Sequence, residues 1–162
     1  MPLCPTVAAS DASAQYAGWR KGEQPEPAFI ARKRLSFKAA LHAGVAILSG
    51  SDIGVFRHGG NARELEIVVD YGMTSAAAVK ATTSVAGRAL HMNIGQVRPG
   101  MLADLIAVEG DPTRQISAQR DVKFVMESGT VFELPDWIVR NDAISYNERS
   151  RRLRCAKPKF SR

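Results

Sequence analysis

The chain has 162 residues, 45% hydrophobic and 23% charged, which is enough for one domain with a real core and too apolar for wholesale disorder. No run approaches the ~18 apolar residues of a helical membrane span, and MPLCPTVAASDASAQYAGW has neither the basic nor the apolar region of a signal peptide, so a cytoplasmic protein with no membrane partner is expected. The net charge of +6 is a local property: residues 149–162 carry seven Lys or Arg and no acid, leaving 15 basic against 16 acidic residues elsewhere.

In chain order, Met1 to Ala8 is an extended, Pro-punctuated segment that could be a strand entering a loop. Residues 10–27 are polar and end in Gln24-Pro25-Glu26-Pro27, a loop by composition. A helix is predicted from Ala28, with Ile30, Phe37, Ala40 and Leu41 on one face and Gly44 closing it. Val45 to Leu48 is a short buried strand that runs into Asp52. Asn61 opens the next helix with a capping-box-like Asn61-Ala62-Arg63-Glu64, in which Glu64 reaches back to the cap. Leu65, Val68 and Val69 form its core stripe, and Gly72 ends it. Thr74 caps a third helix over SAAAVKATTSVAGRALH. Alternation of strand and helix implies parallel strands with right-handed crossovers.

After Asn93 the pattern becomes β. Residues 95–98 read as a strand, Pro99-Gly100 as a turn, Ala103 to Val108 as a second strand, and Asp111-Pro112 as its exit. Lys123 to Met126 and Thr130 to Leu134 flank Glu127-Ser128-Gly129 as a hairpin. The expected division is 1–92 as a partial barrel-type α/β region, 93–135 as a small β subdomain, and 136–162 as a C-terminal extension with the basic tail. That tail has a single aromatic, Phe160, and reads as a solvated extension rather than a nucleic-acid surface, which would carry basic residues woven through the fold. Cys4 and Cys155 stand near opposite ends without CxxC spacing and read as free thiols in a reducing compartment.

The candidate for chemistry is Asp52. An Asp after a strand in SGSDIG can be a turn residue bonding its own backbone. It can equally be an acid at the carboxyl end of a buried strand, facing loops, which is where a (β/α) barrel keeps its reactive groups. His58 lies in the loop beyond it and is either a solvated group or a neutral imidazole facing substrate. Arg63 is either a helix-surface arginine or a planar fork for a substrate carboxylate. His42 and His91 close helices, where a cation suits the helix C-terminus.

Taken in order, Gly50-Ser51-Asp52-Ile53-Gly54, His58-Gly59, Asn61-Ala62-Arg63-Glu64-Leu65-Glu66, Gly72-Met73-Thr74, Gly95-Gln96-Val97-Arg98-Pro99-Gly100, Ala103-Asp104-Leu105-Ile106 and Gly110-Asp111-Pro112 resemble the C-terminal portion of the amidohydrolase superfamily. The similarity is to its imidazolonepropionase-like and Xaa-Pro dipeptidase-like members and spans roughly residues 30–132. The resemblance implies an α/β fold, the C-terminal part of a (β/α)8 TIM-type barrel with its last strands and helices, plus a small flanking β-sandwich subdomain. The barrel is incomplete in this chain. It implies a metal-dependent hydrolase that cleaves a C–N bond of a cyclic amide or dipeptide-like substrate, with Asp52 as both acidic metal ligand and proton shuttle. His58 and Arg63 then face substrate. The implied cofactor is a divalent metal, zinc above all, as one or two ions in the complete enzyme.

Ser51 stands where the family more often has Thr. The family's remaining ligands, a His-x-His pair, a bridging carboxylated lysine or glutamate, and two later histidines, have no counterpart here. The expected partner is therefore a missing N-terminal barrel segment or second chain, without which metal binding and activity are not expected. The alternative is a non-catalytic interaction protein, or a remnant, that keeps part of the scaffold.

Overall fold

The computed structural model describes residues 1–133, so Leu134, Cys155, residues 136–162 and the basic tail lie outside the described residues. Within it, five helices precede a three-stranded antiparallel sheet: α1 Val7–Tyr16, α2 Ala28–His42, α3 Ala62–Asp70, α4 Ser75–Thr82 and α5 Ser84–Ala89. The sheet consists of β1 Leu105–Val108, β2 Val122–Glu127 and β3 Thr130–Glu133, in the order β1-β2-β3, with a 3₁₀ turn at Ile116–Arg120 between β1 and β2.

The parallel pairing expected from the alternation is present in a minimal form. Leu3 and Ile47 form a parallel bridge, held by Leu3 N–H donating to the Ala46 carbonyl and Leu48 N–H to the Leu3 carbonyl, both at 2.8 Å. The connection between them carries two helices. Helix α2 starts at Ala28 as the apolar spacing requires and buries Ile30 and Phe37. Gly44 closes it at φ 71, with its own N–H on Leu41 and the Val45 N–H on Ala40. Gly72 ends α3 in the same way at φ 111. These are six-to-one and five-to-two bonds around a left-handed residue, a conformation glycine adopts without a side-chain penalty.

Three expectations change. The loop assigned to residues 10–27 begins as helix, because α1 extends to Tyr16. Its Val7, Ala8, Ala9, Asp11, Ala12 and Ala14 are all buried, so it is enclosed nearly all round and shows no one-sided stripe. The single helix expected from Ser75 breaks at Thr83, where φ is −123 and ψ −99. There the Thr83 hydroxyl donates 2.7 Å back to the Val79 carbonyl, a bond that bends helices, within a pair of β-branched residues of low helix propensity. The strand expected at residues 95–98 does not form. Those residues lie in turns, with Leu102 N–H returning 2.8 Å to the Asn93 carbonyl.

The predicted hairpin is present. Ser128 and Gly129, at φ 50 and 78, make the left-handed pair that two-residue hairpin turns require. The Asp104 carboxylate holds the Ser128 N–H at 2.7 Å. The Thr74 cap is also present, its hydroxyl accepting from the Ala77 N–H at 3.2 Å. Thr74→Ala is expected to lower stability by about 1 kcal/mol, read as a shift in denaturant midpoint with an unchanged slope.

The core forms where α1, α2, α3 and the Ile47 bridge meet, and it includes Val7, Phe37, Ile47, Phe56, Leu65 and Val68. Phe37 and Tyr71 pack with ring centroids 6.1 Å apart and planes at 59°, a tilted geometry that suits the ring quadrupoles. Ile116, buried within the same core, seats the 3₁₀ turn against α3. Arg120 then grips Glu66 with two bonds of 2.5 and 2.7 Å, so the sheet is joined to the helical region by both apolar and charged contacts.

Candidate functional site

Asp52 sits at the tip of the Ile47 segment, in the turns that precede α3. Its backbone is left-handed, φ 54, a conformation short polar side chains tolerate. The residue is exposed, and its carboxylate has no ion-pair partner among the described residues. Its carbonyl accepts from the Val55 N–H at 3.4 Å.

His58 is exposed in the turn closed by the Gly60 N–H on the Arg57 carbonyl at 3.3 Å. Arg63 is engaged within the fold: its guanidinium pairs with Asp11 of α1, whose side chain is only 6% exposed. His42 and His91 are exposed at the ends of α2 and α5. An open cleft of about 460 Å³ runs between Ser49, Gly50, Ser51, Asn61, Leu65 and Arg120. Neither Asp52 nor His58 lines it. Nor, among the described residues, does any group of three or more His, Cys, Asp and Glu side chains stand close enough to hold a metal ion. The described residues by themselves do not fit one.

The sequence pattern misplaces Glu64. Rather than reaching back to Asn61, which makes no side-chain cap, its carboxylate crosses to α1. There it accepts from the Val7 N–H at 3.1 Å and the Ala8 N–H at 2.7 Å. Glu64 is 1% exposed. Burial pushes its carboxyl above the ordinary range, opposed by the two amide bonds and by the nearby Lys33. Lys33, from α2, donates to the Thr6 carbonyl at 3.1 Å and the Ser10 hydroxyl at 2.6 Å. The Cys4 thiol is also pushed up, first by burial and then by the charges of Glu64 and Asp52, which disfavours the reactive thiolate.

Tyr71 gives this region a measurable alkaline signature. Burial, then the charges of Glu26 and Asp11, push its phenol from 10 to about 12. Below pH 10 both folded and unfolded chains keep the proton. Between about 10 and 12 the unfolded chain loses it while the folded chain does not, so stability falls as pH rises across that window. Ultraviolet difference absorbance is expected to show a phenol step near pH 12 that Tyr71→Phe removes. An unchanged alkaline step in Tyr71→Phe would show the Tyr71 environment to be open.

Comparison with known proteins completes the picture. The model of the amidohydrolase family matches residues 7–132. The chain is 34% identical over 107 residues to an ochratoxinase of Aspergillus niger, a match covering 62% of this chain and 22% of that protein. Among solved structures, a Xaa-Pro dipeptidase with methionine bound in its active site superposes with a TM-score of 0.65 at 30% identity, over 80% of this chain and 34% of that one. The crystal structure of A. niger ochratoxinase superposes with a TM-score of 0.62 at 28% identity, over 78% and 31%. The chain thus spans no more than about a third of the length of these relatives. With its family model covering residues 7–132, this chain belongs to the amidohydrolase family.

Proposed function

We propose that the chain is the C-terminal piece of a metal-dependent amidohydrolase that hydrolyses a C–N bond of a cyclic amide or dipeptide-like substrate. Residues 1–92 contribute the last strands and helices of a (β/α)8 barrel, and residues 93–135 contribute to a flanking β subdomain. Asp52 is this chain's acidic ligand to a divalent metal, zinc in the first instance, whose other ligands belong to polypeptide outside the chain. The whole acts in the cytoplasm.

The observation that carries the reading is the uncommitted carboxylate of Asp52 at the end of a segment in parallel pairing. In a parallel α/β fold, reactive groups gather at that end of the strands. An ionised Asp52 accepts a proton from the attacking water as its oxygen adds to the amide carbonyl, then passes that proton to the departing nitrogen. Positioned proton transfer of this kind is worth roughly 10²- to 10⁴-fold in rate. His58, in the loop beyond, offers a donor or acceptor to the scissile group. Arg63 serves differently: its bond to Asp11 braces α3 against α1 and leaves a substrate carboxylate to other groups.

Metal uptake by the isolated chain and by a complex with a complementing barrel segment tests this directly. The isolated chain is expected to retain no stoichiometric Zn²⁺ or Mn²⁺ after dialysis and to show no hydrolysis of amide substrates. The complex is expected to gain both, and to lose both in D52N. A stoichiometric site in the isolated chain, or a defined metal-free assembly with a fixed partner, would replace this reading with a self-contained site or a non-catalytic interaction protein.

A further inference from the structure

Helix α1 starts without any cap of its own. Thr6, the residue before it, lies at φ 45 and ψ 48 and makes no side-chain cap bond. Yet the first turn is buried: Val7 and Ala8 are 1% and 0% exposed. Buried N–H groups at a helix start must find acceptors. Both find the carboxylate of Glu64, from α3, fifty-seven and fifty-six residues away in sequence. Its negative charge also suits the positive end of the α1 dipole.

The corner is held from two further sides. Lys33 of α2 takes the Thr6 carbonyl, and Arg63, the neighbour of Glu64, takes Asp11 one turn along α1. Immediately before the corner, Cys4 meets the other strand tip: its Sγ lies 3.9 Å from the Gly50 carbonyl. A Cβ on Gly50 would come within 2.4 Å of that sulfur, so a larger residue there would make the thiol move. Asp52 follows two residues later.

We infer that Glu64 is a positioning residue, which caps α1 from α3 and so fixes the Thr6 corner, the Cys4–Gly50 contact and the backbone that presents Asp52. The importance of that backbone rests on the function proposed above, whereas the cap itself does not. The groups facing the Glu64 carboxylate are Lys33 from α2 and Cys4 from the first segment, with the Arg63–Asp11 pair alongside.

Nuclear magnetic resonance of the full chain tests this. In the unsubstituted protein, the Val7 and Ala8 amide shifts are expected to respond together to the titration of one carboxylate. E64Q keeps the length of the side chain but offers one acceptor oxygen in place of two. It is expected to abolish that response, to speed hydrogen exchange at Val7 and Ala8 by about tenfold (about 1.4 kcal/mol), and to shift the Gly50 and Asp52 resonances. E64D, which keeps the charge and loses the reach, is expected to act in the same direction while leaving α5 unchanged.

Val7 and Ala8 amides that ignore pH in the unsubstituted chain overturn the proposal without any variant having to fold. So do Gly50 and Asp52 resonances that stay in place in a folded E64Q. An active D52N complex would sink the catalytic reading alone, with the Val7 and Ala8 signals intact.

Discussion

Asp52→Asn in the complemented enzyme is expected to lower turnover by at least 10²- to 10⁴-fold, the span associated with a lost general acid–base group. The same substitution is expected to leave the stability of the chain within about 0.5 kcal/mol of the parent, as for surface positions without special contacts. The two halves of this prediction have different grounds. Loss of turnover follows from the proton-transfer role proposed for the carboxylate. Unchanged stability follows from its exposure and its want of an ion-pair partner among the described residues. Asparagine also tolerates the left-handed backbone at this position. Turnover by the complex and denaturant melts of the chain measure the two separately. A variant that keeps full activity would refute the assignment, and one that unfolds would show the carboxylate to be structural.

Phe37→Ala should have the opposite profile, with a large loss of stability. Phe37 is 2% exposed, and its ring packs on Tyr71 at 6.1 Å, in the region where α1, α2 and α3 converge. Removing a buried aromatic ring forfeits its transfer free energy and leaves a cavity, together about 3–5 kcal/mol. Domains commonly have only 5–15 kcal/mol in total, so the variant is expected to be largely unfolded at moderate denaturant. Replacement by Leu, which refills much of the space, should recover more than half of the loss. A Phe37→Ala chain with an unchanged midpoint would place the core elsewhere.

What was legible in the sequence divides along a physical line: local signals read well and remote ones did not. Helix α2 begins and ends where its apolar spacing and Gly44 put it. The Thr74 cap and the Ser128-Gly129 turn follow from the chemistry of neighbouring residues, and the parallel sense of the Leu3–Ile47 bridge follows from the alternation of elements.

Helix α1 was not legible, because the acceptor for its first amides is Glu64 and its alanines are buried on more than one side. The same long-range bond misled the capping-box pattern at Asn61, where the right residue types stood at the right spacing and Glu64 took a remote partner instead. Arg63 shows the converse. Its guanidinium is paired with Asp11 in the fold, and nothing local links the two positions. Asp52 could be singled out because an acid after an apolar run stands out by itself. What would surround it in an assembled site cannot be read from residues that do not surround it here.

The Ile116 and Arg120 contacts with α3 have a consequence in solution. One apolar side chain and one forked ion pair join the 3₁₀ turn to α3, and they respond to solvent differently. The exposed Arg120–Glu66 pair weakens with salt, whereas burial of Ile116 strengthens in the presence of excluded solutes such as sulfate. Ionic strength therefore weakens the charged half of this junction, while kosmotropic anions strengthen the apolar half.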